Sequence, residues 1–215
     1  TLHTSYAYAS ACGTALHFFE ELVFTEDKID LRMLDRRLVN LSMFATVLDK
    51  KKQNLDYIET APRVLMSRAK VEEIYGLKIE DIRAIQKLMS AYYELPFFNG
   101  RSLWNKVKKY PLIRRLRGND WMLTCIMRQQ EGVSSFAVAG GLILSRDSAA
   151  LRLSRICEWL ASVHGHMSLQ RLEKELNTMF GTRVPAYKLA EKLRISGNWD
   201  QVLTDREEPY GSDEA

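Results

Sequence analysis

At 215 residues, 46% of them hydrophobic and 27% charged, the chain holds enough apolar mass for one large or two small packed domains, which excludes global disorder. Its formal charge of +4 is uneven, because beyond residue 204 five acids face the single Arg206, a net −4 that leaves +8 on residues 1–204. That balance suits a polyanionic partner.

The start at Thr1, followed by polar residues, reads as a piece of a longer protein and not as a secretory leader. The most apolar stretch, residues 133–144, is about 12 residues against the roughly 20 that span a bilayer, so no membrane segment is expected. Cys12, Cys125 and Cys157 are odd in number, far apart and set among apolar neighbours. This fits reduced core thiols in an intracellular protein, nuclear or cytoplasmic.

In chain order, residues 5–23 predict a largely buried helix, and a turn at Thr25-Glu26-Asp27 leads to a second helix from Asp30. There Leu31, Leu34, Leu38, Leu41, Ala45 and Leu48 recur at three- and four-residue spacing, and Lys50-Lys51-Lys52 closes the helix near its negative end. From Pro62 the units shorten: a helix to Tyr75 stopped by Gly76, a helix over 79–94, and a short helix that Ser102 caps and Pro111 ends. A β-hairpin is then predicted from strands 112–117 and 121–126 around Gly118-Asn119-Asp120.

A second unit repeats the order. Helices are predicted from Asp147 to Val163, from Ser168 to Gly181 and from Pro185 to about Arg194, followed by a Gly197-Asn198 turn and a strand over 201–204. First helices start at 62 and 147 and third helices near 101 and 185, offsets that agree within a residue. Three helices closed by a hairpin form a winged helix. The expected architecture is therefore mainly α with small β-hairpins: tandem winged-helix-like modules preceded by an N-terminal helical pair. The boundaries are 1–60 for the helical segment, 61–130 for a first module with a basic wing, 131–205 for the second module and 206–215 for an acidic tail.

The segment GRSLWNKVKKYPLIRRLRGNDWML, residues 100–123, resembles the end of a LOTUS (OST-HTH) domain, where a short helix leads into two strands around a polar turn. The segment GHMSLQRLEKELNTMFG, residues 165–181, is similar to that family's middle helix and its Phe-Gly ending. The chain departs from the pattern in the long second helix of the first copy and in lacking a proline before the second copy's final strands. The resemblance implies binding of RNA or of a protein partner.

The strongest local signal is Arg101, Lys106, Lys108, Lys109, Arg114, Arg115 and Arg117, seven cations with no acid from residue 101 through 119. Such a cluster neutralises phosphates and makes binding salt-dependent, unless it is simply a solvated face. Trp104 and Tyr110 interleave with it as candidates for base stacking, although tryptophans beside a small hairpin are more often core. Phe18, Phe19, Leu34, Leu38 and Leu41 are either core or a surface for a partner helix.

Catalysis finds little footing: there is no phosphate loop, nucleophile elbow or His-Glu-x-x-His, and Glu20-Glu21 and Glu72-Glu73 are adjacent pairs that diverge on a helix. His164, His166 and Cys157 match no zinc spacing, so no metal or cofactor is expected. The sequence thus points to a non-catalytic nucleic-acid-binding module for DNA or RNA. The alternative is a protein-interaction subunit of a nuclear or ribonucleoprotein assembly, and neither reading requires a small-molecule substrate.

Overall fold

The computed structural model describes residues 15–203. Cys12, the start of the first predicted helix and the acidic tail lie outside the described residues. The fold is mainly helical with two small antiparallel sheets. The elements are α1 (Ala15–Val23), β1 (Lys28–Asp30), α2 (Arg36–Val39), α3 (Ser42–Gln53), β2 (Tyr57–Ala61), β3 (Val64–Ser67), α4 (Arg68–Tyr75), α5 (Ile79–Met89), α6 (Gly100–Val107), α7 (Pro111–Arg114), α8 (Asp120–Arg128), β4 (Ser134–Val138), β5 (Gly141–Ser145), α9 (Leu153–His164), α10 (Leu169–Phe180), α11 (Ala186–Ser196) and α12 (Trp199–Val202).

The chain divides into two compact units, neither of them continuous in sequence. The first runs to Leu88 and adds Lys108–Gln129, while the second takes Met89–Val107 and resumes at Gln130. Residues 89–107, read from the sequence as part of a module spanning 61–130, therefore pack with the second unit.

In the first unit, sheet order β1-β3-β2 supports a core of Phe19, Val23, Ile29, Leu31, Phe44, Val47, Tyr57 and Leu65. Its aromatic members interlock, with Phe19 edge-on to Phe44 at 6.2 Å and Phe24 stacked on Phe44 at 6.2 Å. The long second helix expected from Asp30 is instead a strand, a turn and two helices. Asp30 begins the departure by bonding Arg32 from its carboxylate, and Asp35 caps α2 by accepting from the Arg37 N–H at 2.8 Å. Short acidic side chains compete with helix backbone for its own donors, and here they win.

Pro62 does not start a helix. It sits with Arg63, at φ +63°, in the turn joining β2 to β3, and α4 begins only after Ser67, whose hydroxyl accepts from the Lys70 N–H. Proline followed by a left-handed residue is the pattern of a type II turn. The Glu59 carboxylate accepts the Arg63 N–H at 2.9 Å and fixes that turn.

The hairpin predicted over 112–126 is helical, as α7 and α8. Arg-Leu-Arg alternation suggests a strand, but Ile113 and Leu116 are buried at helical spacing, and Met122 through Met127 are buried without a break, as in a helix enclosed on all sides. Pro111 occupies the first turn of α7, where its missing N–H costs nothing, and Asn119 caps α8 by accepting from the Met122 N–H at 2.8 Å.

In the second unit, β4 and β5 form a hairpin over 134–145, almost all of it in the apolar stretch 133–144 for which the sequence predicts no element. Ala139 and Gly140, at φ +35° and +87°, make its two-residue turn, because positive φ at both positions matches the twist of the flanking strands. The strand β5 is buried along its whole length and so shows no alternation. Helices α9, α10 and α11 then pack pairwise around Ile156, Leu160, Leu172, Leu176, Phe180, Leu189 and Leu193. Helices α10 and α11 match the predicted ones closely, since Ser168 caps α10 and Gly181 and Gly197 end α10 and α11 in the left-handed conformation, whereas α9 begins at Leu153, six residues after the expected Asp147, whose carboxylate instead caps a short 3-10 turn over Ser148–Ala150.

Of the strand predicted over 201–204, Thr204 lies outside the described residues and the rest falls on α12 and on Leu203, which makes one parallel bridge to Met167, so no hairpin follows α11 among the described residues. Val202 and Leu203 are buried against this core, a demand that a single helical turn meets as well as a strand does.

Candidate nucleic-acid interface

The seven predicted cations are shared between the two units. Arg101 and Lys106 lie on α6 of the second, and Lys108, Lys109, Arg114, Arg115 and Arg117 belong to the first. All seven are exposed, while the apolar residues between them, Leu103, Val107, Ile113 and Leu116, are buried. The physical reason is the helical spacing of the apolar positions, which leaves the charged ones on the outer side.

Their partners differ. Arg115 donates to the Gly76 carbonyl at 3.0 Å and reaches the Asp81 carboxylate at 3.3 Å, so it ties α7 to the α4–α5 connection. Arg101 donates from Nε to the Thr178 carbonyl at 3.1 Å, satisfying an end group of α10 where a cation also complements the helix dipole. Both are occupied with architecture. Lys106, Lys109, Arg114 and Arg117 form no ion pair among the described residues.

Arg117 lies over the Tyr75 ring at 6.0 Å, and Arg114 donates from Nε to the Lys108 carbonyl at 3.3 Å, contacts that position a guanidinium without neutralising it. Behind them Asn119 donates to the Thr60 carbonyl at 2.8 Å, anchoring the basic loop to β2. Arg117 itself is left-handed, at φ +53°, and turns the chain sharply between α7 and α8.

Trp104 and Tyr110 are each half-buried, and the Lys109 ammonium sits 5.4 Å from the centre of the Tyr110 ring. Of the residues considered for partner docking, Phe19 is fully buried, and Phe18, Leu34, Leu38 and Leu41 are half-buried against the same core. Phe19 is thus a core residue and offers no docking surface, because the aromatic side chains of α1 fill the space over the sheet.

No group of three metal-ligating side chains gathers among the described residues, and Cys157 lies in the core while His164 and His166 are exposed. Burial pushes the Cys157 thiol up to about 12 and raises that of Cys125 still further, so neither is a nucleophile near neutrality. A cleft of about 560 Å³ in the second unit is floored by Phe97 and Trp159 and rimmed by Arg152, Arg155 and Glu158. Glu158 is spoken for, since it binds Arg155 at 2.8 Å and also accepts from Asn198. No helix among the described residues is long and apolar enough to cross a membrane.

Outside the predicted set, α11 presents a second basic surface. Leu189, Ala190 and Leu193 face inward, and Tyr187, Lys188, Glu191, Lys192, Arg194 and Ile195 are exposed. The spacing of the buried residues in the sequence carried this signal, but the contiguous cation run at 101–117 was the stronger one. Searches for a matching family model, a curated relative or a similar solved structure find none for this chain.

Proposed function

We propose that this chain is a non-catalytic nucleic-acid-binding protein whose first unit grips the phosphate backbone through Lys109, Arg114 and Arg117. The observation that carries the reading is the basic loop after α7. Arg114 and Arg117 are exposed and without carboxylate partners among the described residues, whereas Arg115 between them pairs with Asp81, and the loop is held from behind by the Asn119–Thr60 hydrogen bond. A solvated surface charge needs no such support, whereas a fixed arginine loses less freedom when it meets a phosphate.

A winged-helix-like second unit is the finer form of this proposal, and the helices over 111–128 leave the first unit without the expected wing. Support comes from the three packed helices α9–α11, while the hairpin present in that unit precedes them in sequence.

The test is anisotropy titration of the chain with duplex DNA, single-stranded DNA and structured RNA across a range of salt. Joint Lys109→Glu, Arg114→Glu and Arg117→Glu substitution should weaken binding and flatten the salt slope by about 2 to 3, close to one per lost phosphate contact. Arg115 is left in place because of its contacts to Gly76 and Asp81. Unchanged affinity and slope in a folded variant would overturn the proposal.

A further inference from the structure

We infer that α10 and α11 form a DNA-reading helix-turn-helix in which α11 enters the major groove of duplex DNA. The inference rests on the nucleic-acid-binding reading above and adds to it the duplex class and a second contact surface.

The connection between the helices is short and built to be rigid. Only Thr182, Arg183 and Val184 separate Gly181, the left-handed cap of α10, from Pro185, the cap position of α11. Asn177 binds this turn from three sides. Its Oδ1 accepts from the Thr182 hydroxyl at 2.7 Å and from the Val184 N–H at 2.9 Å, and its Nδ2 donates to the Val184 carbonyl at 3.0 Å. A two-helix unit with a tight glycine-containing turn presents its second helix as one rigid body, which is what reading base edges requires.

The chemistry of the outer face fits the occupant. Around α11 the exposed Arg183, Lys188, Lys192 and Arg194 outnumber the single Glu191, which reaches Lys192 at 3.9 Å, while Arg194 lies over the Trp199 ring at 4.9 Å on the other flank, so the exposed side carries a net positive charge toward a polyanion. Tyr187 and Ile195, two of the few large hydrophobic side chains that stand in solvent, are 56% and 72% exposed on the same helix. Cations that meet phosphates beside apolar groups that meet thymine methyls are a combination the major groove accommodates. A helix of about 10–12 Å diameter also enters the roughly 12 Å groove of B-form DNA, and the deep, narrow groove of A-form RNA excludes it.

The experiment selects from a pool of duplex DNA with a randomised core, using the full chain, and then compares the enriched duplex with a scrambled one. An enriched motif is expected. Joint Tyr187→Ala, Lys188→Ala and Lys192→Ala substitution, all at exposed positions, should cut the enriched-to-scrambled affinity ratio by roughly tenfold or more. The Lys109, Arg114 and Arg117 charge reversal should instead weaken both duplexes alike.

Salt-dependent binding with no enriched motif, a motif indifferent to the α11 changes, or tighter binding to structured RNA than to duplex would overturn this inference alone. Absence of binding to any nucleic acid would overturn it together with the reading it rests on.

Discussion

Lys52 donates to the Glu59 carboxylate at 2.7 Å, and the two side chains retain only 9% and 11% exposure, so an ion pair between the end of α3 and the middle of β2 is almost withdrawn from water. The other Glu59 oxygen is taken by the Arg63 N–H, so one carboxylate serves a buried pair and a turn. Replacing Lys52 by Met leaves that carboxylate without its cation, at a cost of about 3 kcal/mol in unfolding free energy. Adding Glu59→Gln to the Lys52 variant should recover part of the loss, because the amide oxygen still accepts from Arg63. Chemical denaturation of the two variants measures both effects, and a Lys52 change as mild as a surface substitution would contradict the pairing.

The hairpin of the second unit tolerates no side chain at Gly141. A Cβ there would lie 2.5 Å from the Thr182 methyl and 3.3 Å from the Phe180 carbonyl oxygen, and that backbone atom is already held by the Asn99 amide at 2.9 Å. Gly141→Ala is therefore expected to destabilise by about 1–3 kcal/mol through overpacking, read as a lower thermal midpoint. Gly140→Ala meets no atom within 4 Å but must hold φ +87°, so its penalty is one of backbone strain.

Asp30 sets an acid-limb prediction. Hydrogen bonds from the Arg32 side chain, then from its backbone N–H, hold the Asp30 carboxyl at about 2, below its ordinary 3.8. A depressed carboxyl stabilises the fold at pH values above 3.8 and loses that contribution as pH falls toward 2. Asp30→Asn should accordingly flatten the fall of stability in that window and leave the curve near neutrality parallel to the wild type. Acid titration followed by circular dichroism checks the slope.

The thiols should be silent in the folded protein. Cys125 and Cys157 are 4% and 0% exposed, and desolvation by burial raises both above the ordinary thiol range. In a Cys12→Ser background, a chromogenic disulfide reagent at pH 8 is expected to label neither residue until denaturant unfolds the chain, when both react. Rapid labelling without denaturant would show that one of these cores opens readily.

The part of the fold legible in the sequence is the part written in local chemistry. Apolar residues every three or four positions, with Ser168 before them and Gly181 and Gly197 after them, specify α10 and α11 nearly to the residue, since caps and periodicity act within one or two turns. The exposure of Arg114, Arg115 and Arg117 follows from the same reasoning, because charged side chains leave the core wherever the chain permits.

What only the tertiary structure decided is where local signals conflict or reach across the chain. Ile113 and Leu116 commit residues 111–114 to helix because a core waits on one side of them, although alternation favours a strand. Residues 89–107 join the second unit through pairings such as Phe98 with Leu144 and Asn99 with Phe180, contacts 46 and 81 positions apart that no short window contains. The cation run at 101–117 is a single segment of the sequence. Packing assigns its members to two units and ties Arg101 and Arg115 to architecture, because a side chain's freedom depends on the backbone carbonyls and carboxylates that folding brings beside it.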